Sequence, residues 1–324
     1  MITELVNPPS DTINDASYKN NVLIVSSWDK SLRFYNTKEN KLLKKVITNT
    51  PILSHTCIND KLIYGGLDEI LYSYDFNKDM TVKLYKHKNV INNICYQNSS
   101  NFLCVADWNK GLNIFDDRTK NGLICEISTF GVICSMDINE TKLLACDSLK
   151  RTYIFDTQKG IDSFHNPDYR DNILRYQFRC IKAFPNQKGF VISSIEGRVA
   201  WEFFDNNPSV QLKNYTFRCH RMKTDGAEVA YPINTIDFHP IYGAFCTGGS
   251  DGIMCVWDGY NKKRIWRTQN FKNEITKVKF NNEGDEICIC VSSYLKNSNN
   301  SYNSNNKMNS IIIRKVTDKD IKPN

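Results

Sequence analysis

The sequence predicts an all-β chain arranged as a seven-bladed β-propeller. Three observations predict it. A unit of about 40 residues recurs along the chain. Each copy holds a tight turn followed by a strand of alternating apolar and polar residues. At 324 residues the chain is also of a size at which a closed all-β fold forms one unit, and one propeller over 1–324 is the expected domain organisation.

The copies follow in order. They are VSSWDKSLRFYN at 25–36, YGGLDEILYSYD at 64–75, VADWNKGLNIFD at 105–116, CDSLKRTYIFD at 146–156, SSIEGRVAWEFFD at 193–205 and TGGSDGIMCVWD at 247–258. Their turn positions, Asp29, Asp68, Asn109, Leu149, Glu196 and Asp251, are spaced by 39, 41, 40, 47 and 55 residues. A period near 40 with one tight turn and a closing aromatic–Asp pair is the WD-repeat signature, sharpest in the VWD at 256–258. The longer spacings leave room for loops around 158–176 and 205–231. A seventh unit reads as strands at 273–280, 285–295 and 311–318, interrupted by an Asn/Ser-rich insertion at 296–310 whose composition cannot pack a core and which is expected to be disordered. This last blade shows three strands of its own. The N-terminal ITELV (2–6) is expected to supply the fourth and close it.

Composition narrows the functional class. The N-terminus lacks the pattern of a signal peptide, and no apolar run approaches the ~20 residues of a membrane helix. The twelve cysteines sit within strand-like apolar runs such as FLCVADW and EICICVSS, as reduced thiols of cytosol or nucleus do. Lys plus Arg exceeds Asp plus Glu by 42 − 35 = 7, which permits an acidic partner without requiring one.

Chemical motifs are missing. The sequence holds no P-loop, no dinucleotide-binding glycine fingerprint, no C-x-x-C, no H-E-x-x-H and no nucleophile elbow. Neither catalytic residues nor a metal site nor a cofactor is expected. Of the five histidines, His87 and His220 precede strands at blade boundaries, where a histidine belongs to a buried hydrogen-bond network; Asp251, Thr247 and Trp257 are candidates to complete one with His220. His239 closes a strand and also reads as structural.

The arginines are the candidate binding groups. Arg179, Arg198, Arg218 and Arg221 each sit among strong β-formers, with few acids near them in sequence. A guanidinium donates in pairs and keeps its charge, so it suits a carboxylate or a phosphate. The competing reading has them on outer strand faces, paired to acids within the blade. YTFRCHR (215–221) reads as one continuous strand, whose alternation points Arg218 and Arg221 in different directions. Trp28 and Trp108 hold matching turn positions, either exposed beside the arginines as an interaction hot spot or packed on a neighbouring blade.

SSWDKSLRFY, YQFRCIKAFPNQKGFVISSIEGRVAWEFFD, YTFRCHR, AYPINTIDFHPIYGAFCTGGSDG, NKKR and VTDKDIKP together resemble the mitotic-checkpoint WD-repeat family Bub-three. The resemblance runs from NPPSDTI to the last residues. Its sister family, the messenger-RNA export factor Rae-one or Gle-two, shares SSIEGRVA and the F-[RK]-C-H-R motif. The resemblance implies a non-enzymatic adaptor of the spindle assembly checkpoint, in nucleus and kinetochore with a cytoplasmic pool.

The implied partners are a checkpoint kinase of the Bub-one or BubR-one type, bound through a GLEBS segment, and a phosphorylated kinetochore scaffold carrying Met-Glu-Leu-Thr repeats. Carried over by position, Arg179, Arg221, Trp28 and Trp108 contact GLEBS, and Arg198 and Arg218 hold the phosphothreonine. The chain is expected to be monomeric on its own, with neither membrane nor nucleic acid as a partner. The alternative is a nuclear-pore export factor that binds a nucleoporin GLEBS segment. Four departures from the family pattern stand out: Leu149 at a turn position and the shifted ADWN of the third blade, which together weaken the carry-over of Trp108, Trp201 within a strand, and the Asn-rich insertion that enlarges the last blade.

Overall fold

The computed structural model describes residues 2–119, 122–171, 173–224, 226–293 and 309–322. It contains seven four-stranded antiparallel sheets, the blades of the expected propeller class, and one separate two-stranded hairpin. The chain divides into two compact units, Met1–Ile52 with Asn234–Asn324, and Leu53–Ile233.

The first unit carries blades 1, 6 and 7. Blade 1 comprises Ile13–Lys19, Val22–Ser27, Ser31–Asn36 and Lys41–Ile47. Blade 6 comprises Ile233–Phe238, Phe245–Gly249, Met254–Asp258 and Lys263–Arg267. Blade 7 comprises Glu274–Phe280, Glu286–Ser292, Asn309–Lys315 and, from the other end of the chain, Ile2–Glu4. The closing strand is the expected one: Ile2 pairs with Arg314, Thr3 with Ile313 and Glu4 with Ile312. Leu5 then continues inward, donating to the Ile311 carbonyl (2.8 Å) and burying its side chain with Ile13, Val25 and Cys290. The body of the Asn/Ser-rich segment lies outside the described residues; its last two members, Asn309 and Ser310, already belong to a strand.

The second unit carries blades 2 to 5. Blade 2 comprises Ile52–Ile58, Lys61–Gly66, Ile70–Asp75 and Met80–Lys86. Blade 3 comprises Ile91–Gln97, Phe102–Asp107, Gly111–Asp116 and Leu123–Ser128. Blade 4 comprises Ile133–Ile138, Lys142–Asp147, Arg151–Asp156 and Asp168–Asp171. Blade 5 comprises Phe178–Ala183, Gly189–Ser194, Arg198–Phe203 and Tyr215–Arg218. The two stretches read as loops hold structure: a helical turn Asp162–His165 and an outer strand in the first, and a helical turn Pro208–Gln211 and a hairpin in the second.

Packing explains the pattern. A middle strand has a neighbouring blade on each face, so it is apolar on both, as in the fully buried FLCVAD of blade 3. Cysteine fits there as a small hydrophobe. All twelve cysteines are free thiols, and burial pushes those of Cys146 and Cys246 well up. Trp201 is buried against Phe184, with ring centroids 3.9 Å apart. Polar staples join successive blades within each unit. Asp137 takes Lys182 and the Ala183 amide in the second, and Asp237 takes Lys279 and the Phe280 amide in the first.

His87 and His239 are buried and hydrogen-bonded. His87 is buried with Nδ1 3.2 Å from the Asn113 amide nitrogen. His239 accepts the amides of Ile241 and Tyr242 on Nδ1 and donates from Nε2 to the Gly284 carbonyl. Within blade 6, Trp257 Nε1 donates to Thr247 Oγ1 (2.9 Å), two members of the expected set; His220 is buried in the other unit.

Candidate anion-binding site

The candidate site grows out of blade 5 and the hairpin after it. YTFRCHR is not one strand. Tyr215–Arg218 is the outer strand of blade 5, and a new strand, Arg221–Thr224, pairs with Ala227–Ala230 outside the blades. The break is at Cys219 and His220, whose φ is +50°. A residue with positive φ ends the pleat, so Arg218 and Arg221 part company by a backbone kink, not by the expected alternation. Gly197 makes the kink possible. It has φ +65°, and a Cβ there would stand 2.5 Å from the Cys219 carbonyl oxygen.

Arg198 and Arg218 face each other across neighbouring strands of blade 5. Like charges directly opposite each other are destabilising unless an anion separates them. Two glutamates do part of this. Glu196 Oε2 lies 3.5 Å from Arg198 Nε. Glu228 Oε2 lies 2.9 Å from Arg221 Nη1 and 3.9 Å from Arg218 Nη1. Arg221 Nη2 also donates to the Glu196 carbonyl (2.8 Å), which fixes that guanidinium. Three arginines against two glutamates leave one positive charge, 3 − 2 = 1. Its most accessible carrier is Arg218, with 60% of its side chain exposed against 18% for Arg221. The sequence reading had few acids near these arginines; Glu196 is two residues from Arg198, and Glu228 arrives only because the hairpin folds back.

Arg179 stands apart in kind. It is the extra residue of a β-bulge between Phe178 and Cys180, exposed, with its charge acting on the Cys134 thiol. The same bulge in blades 1 and 3 holds Asn14 and Asn92, whose amides donate to the carbonyls of Ile52 and Ile133. In blade 5 the same bulge position holds an exposed cation.

Trp28 and Trp108 occupy equivalent turns. The Trp28 amide donates to Thr12 O (2.9 Å) and the Trp108 amide to Val90 O (3.0 Å). Their side chains are 36% and 46% exposed, so core packing is not their role. Ile195 is the blade 5 counterpart, donating to Gln177 O. The irregular turns of blades 3 and 4 keep this geometry because an aspartate two residues earlier caps them. Asp107 Oδ1 accepts the amides of Asn109 and Gly111, and Asp147 Oδ1 those of Leu149 and Arg151. The shift in ADWN therefore leaves Trp108 where Trp28 stands in blade 1.

Nearby in the same unit is a group the sequence reading missed. Phe130 is exposed, the Arg151 guanidinium lies 4.1 Å over its ring, and Tyr169 meets it edge-on. An aromatic before glycine in a loop, as in TFG, is the one sequence signal that could have found it.

The chain is thus of the WD-repeat propeller class, with an arginine cluster suited to anions on its fifth blade. The model of the WD domain, G-beta repeat, matches residues 213–258. A solved WD-repeat-class fold, titled "Structure of U3-55K", is similar over 97% of this chain and 98% of that one, with TM-score 0.82 and 12% identity. Mitotic checkpoint protein BUB3.1 of Arabidopsis thaliana is 32% identical across 99% of this chain and 94% of its own length. The poly(A)+ RNA export protein of Schizosaccharomyces pombe is 26% identical across 99% of this chain and 92% of its own. The chain belongs to the Bub3 family of mitotic checkpoint proteins.

Proposed function

We propose that the protein is a non-enzymatic adaptor of the spindle assembly checkpoint that binds acidic and phosphorylated peptide segments at kinetochores. The observation that carries this reading is the pairing of Arg198 with Arg218 across two strands, with a net positive charge left over. A phosphothreonine brings nearly two negative charges and three acceptor oxygens to such a pair. Phosphorylated Met-Glu-Leu-Thr repeats of a kinetochore scaffold are its ligand.

GLEBS-type segments of checkpoint kinases engage Arg179 and Arg221 through their acidic residues, with Trp108 as an apolar contact. Trp28 offers the same kind of turn side chain in the other unit. Arg198→Ala with Arg218→Ala abolishes binding of a phosphothreonine repeat peptide and spares a GLEBS peptide, read by calorimetric titration. Arg179→Ala with Arg221→Ala does the reverse, weakening GLEBS at least tenfold, since a partly desolvated charge pair loses ~2–5 kcal/mol when one partner goes. Phosphopeptide affinity that survives the first pair of changes refutes the assignment.

The second reading is a nuclear-pore export factor, favoured by the 26% identity to the fission-yeast RNA export protein. The lower identity ranks it behind the checkpoint role.

A further inference from the structure

We infer that the cavity at the outer edge between blades 4 and 5 binds the cationic head of a lysine or arginine side chain from a partner peptide, with Glu202 as the counter-charge. Chain geometry opens the cavity. The third strand of blade 4 runs Arg151–Asp156, but its outer partner, Asp168–Asp171, pairs only as far as Ile154. The chain between them makes two short helical turns, Thr157–Lys159 and Asp162–His165, and a space of about 350 Å³ stays open beside them. That volume is at the low end for ligand sites and has room for one long side chain. Ile154 and Phe204 form its apolar wall.

The remaining walls are balanced in charge. Lys142, Lys159 and Arg170 meet Asp156, Asp162 and Asp168. Two of the cations are committed. Lys142 Nζ lies 3.4 Å from Asp156 and over the Phe204 ring. Arg170 donates to the carbonyls of Phe203 and Phe204 and to Asn206 Oδ1. Glu202 breaks the balance. Strand alternation puts Ala200, Glu202 and Phe204 on the face towards blade 4, where Ala200 and Phe204 pack with Ile154. Phe190, the cross-strand partner of Glu202, meets the Phe204 ring on that face, with centroids 5.7 Å apart. The Glu202 side chain therefore points towards the inner end of the cavity. It is 6% exposed, and its Oε1 makes no hydrogen bond.

A buried carboxylate without donors is costly, and an entering cation supplies the missing partner. The methylenes of a lysine or arginine lie along Ile154 and Phe204 while the charged head goes inward. An anion would find only Lys159, exposed at the rim, uncommitted. Charged groups on the strands around Glu202 are Arg170, Asp168, Lys142 and Asp156 of blade 4 and the Lys182–Asp137 pair that joins the two blades; Lys188 and Asp205 flank its own strand pair. Of these, Arg170 is the one that moves its titration, against the burial that lifts the carboxyl to about 7. Cation binding and loss of the Glu202 proton are thereby linked.

The test is titration of the full chain with the capped tripeptide acetyl-Gly-Lys-Gly-amide, followed by the backbone amide resonances of Arg170 and Phe204. Binding is expected to be about tenfold tighter at pH 8 than at pH 6, because only ionised Glu202 accepts the cation. The same peptide with its lysine acetylated is expected to leave both resonances unmoved. Glu202→Gln is expected to lose at least about tenfold in affinity at pH 8, and the pH dependence with it. Wild-type affinity that is independent of pH overturns the inference, as does wild-type affinity in Glu202→Gln; the wild-type profile decides even where the variant fails to fold. Shifts confined to other resonances overturn it too. Butylamine binding as tightly as the tripeptide assigns the cavity to a free amine and overturns the partner side chain.

Discussion

Glu202 and His87 are buried titratable side chains whose pH effects oppose each other. Glu202, on the third strand of blade 5, is 6% exposed, and its Oε1 lacks a hydrogen-bond partner. Burial raises its carboxyl to about 7, with Arg170 pulling the other way. The folded value lies above the unfolded one, so the folded state holds the extra proton and stability falls as pH rises from about 4.5 to 7. His87 behaves oppositely: burial lowers it to about 4, so stability is lost as pH falls from about 6.5 towards 4. Each shift has a ceiling of about 3 kcal/mol. Between about 4.5 and 6.5 these two slopes offset each other. Glu202→Gln removes one of them, so its denaturation free energy is expected to climb more steeply with pH than the wild type's across that window. A pH dependence identical to the wild type's contradicts the assignment. Neither shift was legible in the sequence. Glu202 reads there as an ordinary polar position in an alternating strand, and only the neighbouring blade removes its water.

Among the strands, Ile2–Glu4 matters beyond its length. It completes blade 7, leads Leu5 into the core, and presents the Asn7 carbonyl to Arg33 and Tyr35 of blade 1. Deleting residues 1–9 is expected to lower the melting temperature by about 5 °C or more, from lost apolar burial and an exposed sheet edge. An unchanged melting curve in calorimetry rules this out. The strand was legible because a blade with three strands of its own needs a fourth, and ITELV was the one unassigned apolar stretch at the other end. The end of the strand in YTFRCHR was not. Its β-formers run unbroken through Cys219, and the kink at His220 depends on Gly197, 23 residues earlier (220 − 197 = 23). The bulge that exposes Arg179 was hidden for the same reason, since a bulge is a property of two paired strands.

For the whole molecule the question is which partners the protein serves. Immunoprecipitation from mitotic and interphase cells, read by mass spectrometry, is expected to recover a checkpoint kinase and a kinetochore scaffold. Recovery of a nucleoporin alone, with interphase signal at nuclear pores, favours the export reading. The repeat near 40 residues settled the fold, because each copy carries its own turn and its own strand pairing, and local sequence decides both. The candidate arginines were legible too, as cations among β-formers with few acids near them in sequence. Their partition was not. Arg198 and Arg218 meet through the register of blade 5, and Glu228 reaches Arg221 through the register of a hairpin. A guanidinium and a carboxylate interact over a few ångströms, and that distance is fixed by which strands lie side by side. Local pattern could therefore name the charges, while tertiary pairing alone decided which of them answer one another.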